Sequence, residues 1–386
     1  MADRIERLSL DYEVLTPLFL GDADQAHAEL RPPSLKGLLR FWYRAVDPDH
    51  AQREGRWFGD TQDHGQAPFL LRARAEPSEP WRWDNNRAAN FDEGQGKETR
   101  NGLRYLGYPF DPRFRKEREA LPPNSRFILE LVFHRKAEPE QRRDQRRAVL
   151  AAAWLLGHLG GAGSRSRRGF GSLALLDWQG LRSEEQEALP LLVEAANREA
   201  WLRDYEGARR TFEEWFGAFP ATAESPPHPH LGGKTQVWLG TAEGRFPLMV
   251  LNGMGRRLQD FRLRRAPDYQ RVKDHLTGVR RLEQAPERAA FGLPLTFRYS
   301  SVGGRSITFS PYDQKQKTTR ERHGSLLHLR VVRLADGLHP LFLRLDGAVP
   351  GEGQEAQVAP RNEGRPLYAA DGNLLDRFMT HLSEGR

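Results

Sequence analysis

Cysteine is absent from the 386 residues. Its absence removes disulfides, thiolate nucleophiles and cysteine-ligated zinc together. Methionine is scarce as well, at four residues. The two shortages fit a chain that avoids labile side chains, although a GC-biased coding sequence leaves the same mark. No apolar run approaches the roughly 18–20 residues that a membrane-crossing helix needs. The longest, Ala148 to Leu156, lies within a helical pattern flanked by arginines. The opening Met1-Ala-Asp-Arg-Ile-Glu-Arg7 has no apolar signal core, so a cytoplasmic location is expected.

What is present is enough for more than one core. With 38% hydrophobic and 10% aromatic residues the chain can bury a large interior, and its length suggests two domains. Lysine and arginine number 59 against 52 acidic residues, a net charge of +7. That modest excess is compatible with a polyanionic partner, and the placement of the charge decides the matter.

The expected fold class is α+β. Ile5 to Leu20 alternates like a strand, and a polar loop runs from Asp22 to Arg31. Pro32-Pro33-Ser34 then sets up a helix over Leu35 to Val46, with Ser34 as its cap and Pro48 as its stop. Residues 84–100 are rich in Asn, Gly and charge and read as a flexible insertion. A strand over Arg126–His134, an arginine-rich helix from Pro139 to about Leu159, and a strand over Ser172–Trp178 complete a βαββαβ order. That is the order of a ferredoxin-like or RRM-like module.

Residues 1–180 are thus expected to form the first such module, 181–227 a helical connector, and 228–386 a degenerate second copy. The anchors of the second copy are Lys234–Leu239, a helix over Asp268–Leu276 and the apolar run Phe291–Tyr299. Strands over Leu326–Leu334 and Leu341–Leu345 and a last helix over Leu374–Leu382 follow.

Two segments carry chemistry. On the first helix, Leu35, Leu38, Leu39, Trp42 and Val46 share one face, while Lys36, Arg40 and Arg44 follow at i, i+4 and i+8 on another. Three cations so aligned repel one another unless an anion lies alongside. The second segment is Gly161-Ala-Gly-Ser-Arg-Ser-Arg-Arg-Gly-Phe-Gly171. Its glycines, Gly163 and Gly169 among them, let backbone amides approach a phosphate. Ser164 and Ser166 offer hydroxyls, and Arg165, Arg167 and Arg168 supply forked donors. Phe170 can anchor the loop in the core or stack on a base. No Gly-Lys-Ser/Thr ending is present, which excludes a nucleotide-binding P-loop.

Gly161-Ala-Gly163, five residues and then Gly169-Phe-Gly171 resembles the glycine-rich signature of the RAMP proteins, the RNA-binding family of CRISPR systems. Leu15-Thr-Pro-Leu-Phe-Leu-Gly21 and Leu30-Arg-Pro-Pro-Ser-Leu-Lys-Gly-Leu-Leu-Arg-Phe-Trp-Tyr-Arg44 are similar to one branch of that family, the large two-module subunits of type III-B Cmr complexes. Arg288-Ala-Ala-Phe-Gly-Leu-Pro-Leu295 matches the second half of that branch. Tyr43 departs from it, standing where a second Trp is more familiar. The resemblance implies two ferredoxin-like modules, partnership with other RAMP subunits, and contact with guide or target single-stranded RNA near the guide's 3′ end. Ser34, Lys36, Arg40 and Arg44 on the helix and Gly163 to Gly169 on the loop are then the RNA-contacting residues. No catalytic residue, metal or cofactor is expected.

Some RAMP relatives cut RNA with a histidine near this helix, and His27 is the residue placed for that role. His134 and His158 read as structural, and His228 with His230 makes a weak metal pair. Asp22 and Asp24 read as turn residues. Trp81 and Trp83 alternate as on a strand and can stack on bases or pack. Arg256, Arg257, Arg262, Arg264 and Arg265 form a second basic cluster. The rival functions are an RNA-processing endoribonuclease using His27 and an assembly subunit that binds only protein.

Overall fold

Leu8, Leu10, Tyr12 and Val14 alternate with more polar neighbours, and in the computed structural model they are buried along strand β1 (Arg7–Val14). The structure describes residues 6–94, 99–113, 117–133, 138–220, 228–264, 266–313, 316–349, 357–360, 367 and 373–385. After β1 come α1 (Pro32–Arg44), α2 (His50–Phe58), β2 (Phe69–Ala75), β3 (Trp81–Arg82), α3 (Asn85–Ala89) and α4 (Gly102–Gly107). They are followed by β4 (Glu119–Ala120), β5 (Arg126–Phe133), α5 (Pro139–His158), β6 (Leu173–Gln179), α6 (Ser183–Ala188) and α7 (Arg198–Phe216).

Four of these strands form an antiparallel sheet ordered β2-β5-β1-β6. Along the chain its elements run β1-α1-β2-β5-α5-β6, which is strand, helix, two strands, helix, strand. Helices α1 and α5 pack together. The Tyr12 hydroxyl, on the sheet's buried face, donates to the Ala153 carbonyl of α5 at 2.9 Å. A side chain at Gly157 would meet Leu175 Cβ at 2.5 Å, so glycine lets α5 lie close on β6.

The remaining elements are β7 (Gln236–Leu239), α8 (Pro247–Leu263), α9 (Ala266–Thr277), β8 (Leu295–Tyr299), β9 (Arg305–Asp313) and β10 (Thr318–Thr319), then β11 (Leu327–Leu334), β12 (Gly337–Arg344), β13 (Gln357–Pro360) and α10 (Leu374–Ser383). The chain divides into two units. Unit 1 comprises Met1–Pro220, Leu239–Arg256 and Leu329–Leu341, and unit 2 comprises Ala221–Trp238, Arg257–His328 and Phe342–Arg386. In unit 2, β9 pairs with β10, β13 and β8, and Phe261, Phe291, Phe342 and Phe378 form an aromatic core around α10.

This partition differs from the chain-order boundaries expected at 180 and 227. Residues 181–220, expected as part of a helical connector, are helical over Ser183–Ala188 and Arg198–Phe216 and fall within unit 1. Trp201, Tyr205 and Phe212 of α7 are buried, and Phe212 sits 5.6 Å from Trp154 of α5. The stretch 84–100 also departs from a flexible insertion over its described part. The Asp84 side chain caps α3 by accepting from the Asn86 amide, and the Glu93 and Arg100 backbones form a bridge.

Unit 1 is completed from far along the chain. Arg330 is buried and donates to the carbonyls of Leu156, Gly157 and Leu173, so it closes the C-terminal end of α5. Burial lowers its pKa to about 9. Arg333 forks onto the buried Glu13 carboxylate of β1. On α5 itself, Arg146 is buried with Glu185 and Glu6 as partners, so that charge belongs to the core.

Candidate nucleic-acid interface

Helix α1 begins earlier than Ser34. Arg31 is its N-cap residue, Pro32 and Pro33 fill the first turn, and no side chain caps it. Proline suits that turn because its missing N–H would have had no helical partner anyway. Ser34 therefore lies inside the first turn, and the helix ends at Arg44, not at Val46. Leu35, Leu39, Trp42 and Tyr43 are buried, as the periodicity requires.

The three cations do not form one open row. Glu54 of α2, itself 6% exposed, accepts hydrogen bonds from both Arg40 and Arg44. Arg40 also donates to the Gly59 carbonyl at 3.2 Å. Burial works to raise the Glu54 pKa, but hydrogen bonds from Arg44 and then Arg40 outweigh it and hold the carboxyl below its usual range. The anion that relieves the repulsion is thus the protein's own. Lys36, by contrast, has no ion pair among the described residues. Burial first and the Arg40 charge second push its amine below its ordinary value.

The glycine-rich loop is built by packing. Phe170 is fully buried among Phe19, Trp83 and Phe110, which settles its role as an anchor. Gly163, Gly169 and Gly171 have positive φ. A Cβ on Gly163 would lie 2.5 Å from the Phe19 carbonyl oxygen, and one on Gly171 would collide with the Ala162 carbonyl. These glycines let the chain fold tightly on itself, a different task from the phosphate approach expected of them.

The loop's polar residues are individually seated. Arg165, itself at a positive φ of 64°, donates to the Leu106 carbonyl at 2.8 Å and lies 5.2 Å from the Tyr108 ring. The Ser164 hydroxyl accepts from Arg118 at 3.0 Å. The guanidinium of Arg167 stacks 5.2 Å above Phe41 of α1, and its burial pushes its pKa down. The loop and α1 therefore meet through Phe41 and Arg167. Arg168 runs beside Leu329 in a parallel bridge. Ser166 is half-buried in the same turn, its carbonyl accepting from the Gly169 amide.

Other sites read from the sequence are placed as follows. His27 is exposed, with Nδ1 3.1 Å from Asp22 Oδ2, and that contact is the first cause holding the Asp22 carboxyl below its usual range. His158 is buried against Trp154, 4.7 Å between ring centroids. Burial, with Arg330 second, lowers its pKa to about 3. His230 is buried beside Asp346, and His134 lies outside the described residues. No cluster of three or more metal-ligating side chains exists among the described residues. Trp83 is buried and Trp81 packs on Phe19, so neither forms a free stacking platform. Of the second basic cluster, Arg256 pairs with Glu93, Arg257 lies over Trp238 and Arg262 over Phe291, while Arg265 lies outside the described residues. Sequence reasoning missed Glu54, Phe41 and Tyr108. Glu54, Trp57 and Phe58 at i, i+3 and i+4 were the available signal for the first.

A glycine loop seated beside a helix on a β2-β5-β1-β6 sheet defines a class. The model of the RAMP superfamily matches residues 11–174, the stretch that holds this sheet, helix and loop. More particularly, the chain is similar to Cmr subunits of CRISPR systems. It is 28% identical over 177 residues to the CRISPR system Cmr subunit Cmr1-2 of Pyrococcus furiosus, covering 42% of this chain and 91% of that one. The crystal structure of apo Cmr1 from Pyrococcus furiosus matches with a TM-score of 0.59 at 18% identity, over 97% of this chain and 96% of that chain. A chain of the cryo-EM structure of type III-B Cmr-beta bound to cognate target RNA and AMPPnP matches with a TM-score of 0.57 at 11% identity, covering 99% and 100%. At those identities the two structural matches speak for the fold.

Proposed function

We propose that this chain is a non-catalytic, RNA-binding architectural subunit of a type III-B CRISPR (Cmr) effector complex, working in the cytoplasm with other RAMP subunits. It holds a single strand of guide or target RNA near the guide's 3′ end. The carrying observation is the surface where α1 meets the glycine loop. Lys36 has no ion pair there among the described residues, and Arg167 is stacked on Phe41. The RNA-bound assembly in which a similar fold occurs supports the same reading. In this reading the molecule carries two ferredoxin-like modules. The β2-β5-β1-β6 order supports the first, and the succession β7-α8-β11-β12-α10 along the chain supports a degenerate second.

The test is titration of the full chain with labelled single-stranded RNA at several salt concentrations, followed by inspection of the RNA. The expected result is binding that weakens with salt and leaves the RNA intact. Binding that ignores salt, or none at all, overturns the RNA-binding reading. A second reading, an RNA-processing nuclease, is favoured by one contact: Asp22 orients the exposed His27 ring, as a carboxylate does for a general base. Discrete metal-independent cleavage that disappears in His27→Ala would establish it instead.

A further inference from the structure

Gly37 stands in the middle of α1, on an exposed turn, and a Cβ built on it meets nothing within 4 Å. Glycine inside a helix is unfavourable relative to alanine, because it loses more backbone freedom on folding. In unit 1 such a cost usually has a visible cause. Gly102, Gly107 and Gly157 each lie where a side chain would strike a neighbouring element. Gly37 has no such cause inside the protein. One turn away on the same surface is Phe41, i+4 from Gly37, with Arg167 stacked on it, and Lys36 lies beside it.

We infer that the bare patch at Gly37 is the point where the RNA backbone lies directly on α1, with Phe41 taking one base by stacking and Lys36 and Arg167 flanking the phosphates. This deepens the RNA-binding reading and rests on it. A strand can approach a helix most closely where no Cβ projects, and there the neighbouring cations act at shorter range. Base–aromatic stacking needs a ring face accessible beside a basic groove. Phe41 is only half-buried, whereas Trp83 and Phe170 are not accessible. The site is sequence-tolerant by this chemistry, since every base has a face to stack and every nucleotide a phosphate.

The experiment uses an internal control. Gly207 is also mid-helix, in α7, with nothing within 4 Å of a built Cβ. Full-length Gly37→Gln, Gly207→Gln and Phe41→Ala are compared with the parent chain by thermal melting and by fluorescence anisotropy with a labelled single-stranded RNA of mixed sequence. Both glycine variants should melt no lower than the parent, because glutamine is the better helix former. Gly37→Gln should weaken RNA binding by about tenfold, which is about 1.4 kcal/mol of binding free energy, and Gly207→Gln should leave it unchanged. Phe41→Ala should weaken binding without altering the salt slope, since stacking carries no counterion release. Parental affinity in both Gly37→Gln and Phe41→Ala overturns the placement while leaving RNA binding intact. No binding by the parent chain overturns RNA binding and the placement together.

Discussion

Helix α1 and the glycine-rich loop are adjacent in unit 1 and similar in charge, yet they spend their residues differently. On α1 the glycine is open and two of the three cations, Arg40 and Arg44, are held by one carboxylate, Glu54. In the loop the glycines are the close-packed residues, and Arg165 and Arg167 rest on a carbonyl and on aromatic rings. The lesson is that a basic stripe and a glycine repeat do not by themselves say which residues face a ligand. On α1 the half toward the N-terminus, around Lys36 and Gly37, is available. The half toward the C-terminus is bound up internally.

The comparison can be broken at four points, beginning with the largest effect. Gly171→Ala places a side chain at a positive φ and against the Ala162 carbonyl. It should cost about 3 kcal/mol or more of folding stability, measurable by chemical denaturation. If the loop glycines served only ligand approach, stability would hold and RNA binding alone would fall. Glu54→Gln removes the shared carboxylate and leaves two half-buried guanidinium groups without its charge. The expected loss is about 2–3 kcal/mol. The freed cations should also steepen the salt dependence of RNA binding, by up to about 1.4 in slope for two phosphate contacts at roughly 0.7 each.

The third point is pH, and its sign follows from His158. Burial, aided by Arg330, lowers its folded-state pKa from 6.5 to about 3. Below pH 6.5 the unfolded chain takes up a proton that the folded chain refuses, so stability falls as pH drops through that interval. The slope should reach about 1.4 kcal/mol per pH unit from this residue, and His158→Leu should flatten it in denaturation curves between pH 6 and 4. Glu54 acts in the same direction at lower pH, because its depressed pKa stabilises the fold until the carboxylate is protonated. The smallest effect sharpens the contrast along α1. Lys36→Ala should flatten the RNA salt slope by about 0.7 with unchanged stability, whereas Arg40→Ala should mainly destabilise.

Strands β1, β5 and β6 and helices α1 and α5 were legible in the sequence because their signals are local, whereas β2 and α2 were not read. Alternation marked β1 and β5, Pro139 opened α5, and the period of Leu35, Leu39 and Trp42 gave the buried face of α1. The cap of α1 was misread because Ser34 competes with a stronger signal, the prolines immediately before it. Asp84 was read as part of a flexible insertion, although it caps a short helix by accepting from a backbone amide. Glu54 escaped for a different reason. It sits 10 and 14 residues from its partners on another helix, and only the packing of α1 on α2 brings it near. The spacing of Lys36, Arg40 and Arg44 along α1 was thus readable, while the internal partner of Arg40 and Arg44 is a tertiary fact.

Arg330 and Arg333 carry a consequence for how the molecule is made. The chain up to residue 220 already contains every strand of the β2-β5-β1-β6 sheet, but the partners of Glu13 and of the α5 carbonyls arrive only with Leu329–Leu341. At roughly 5–20 residues per second, a nascent chain waits on the order of ten seconds between those two points. During that wait the sheet exists without its last clasp.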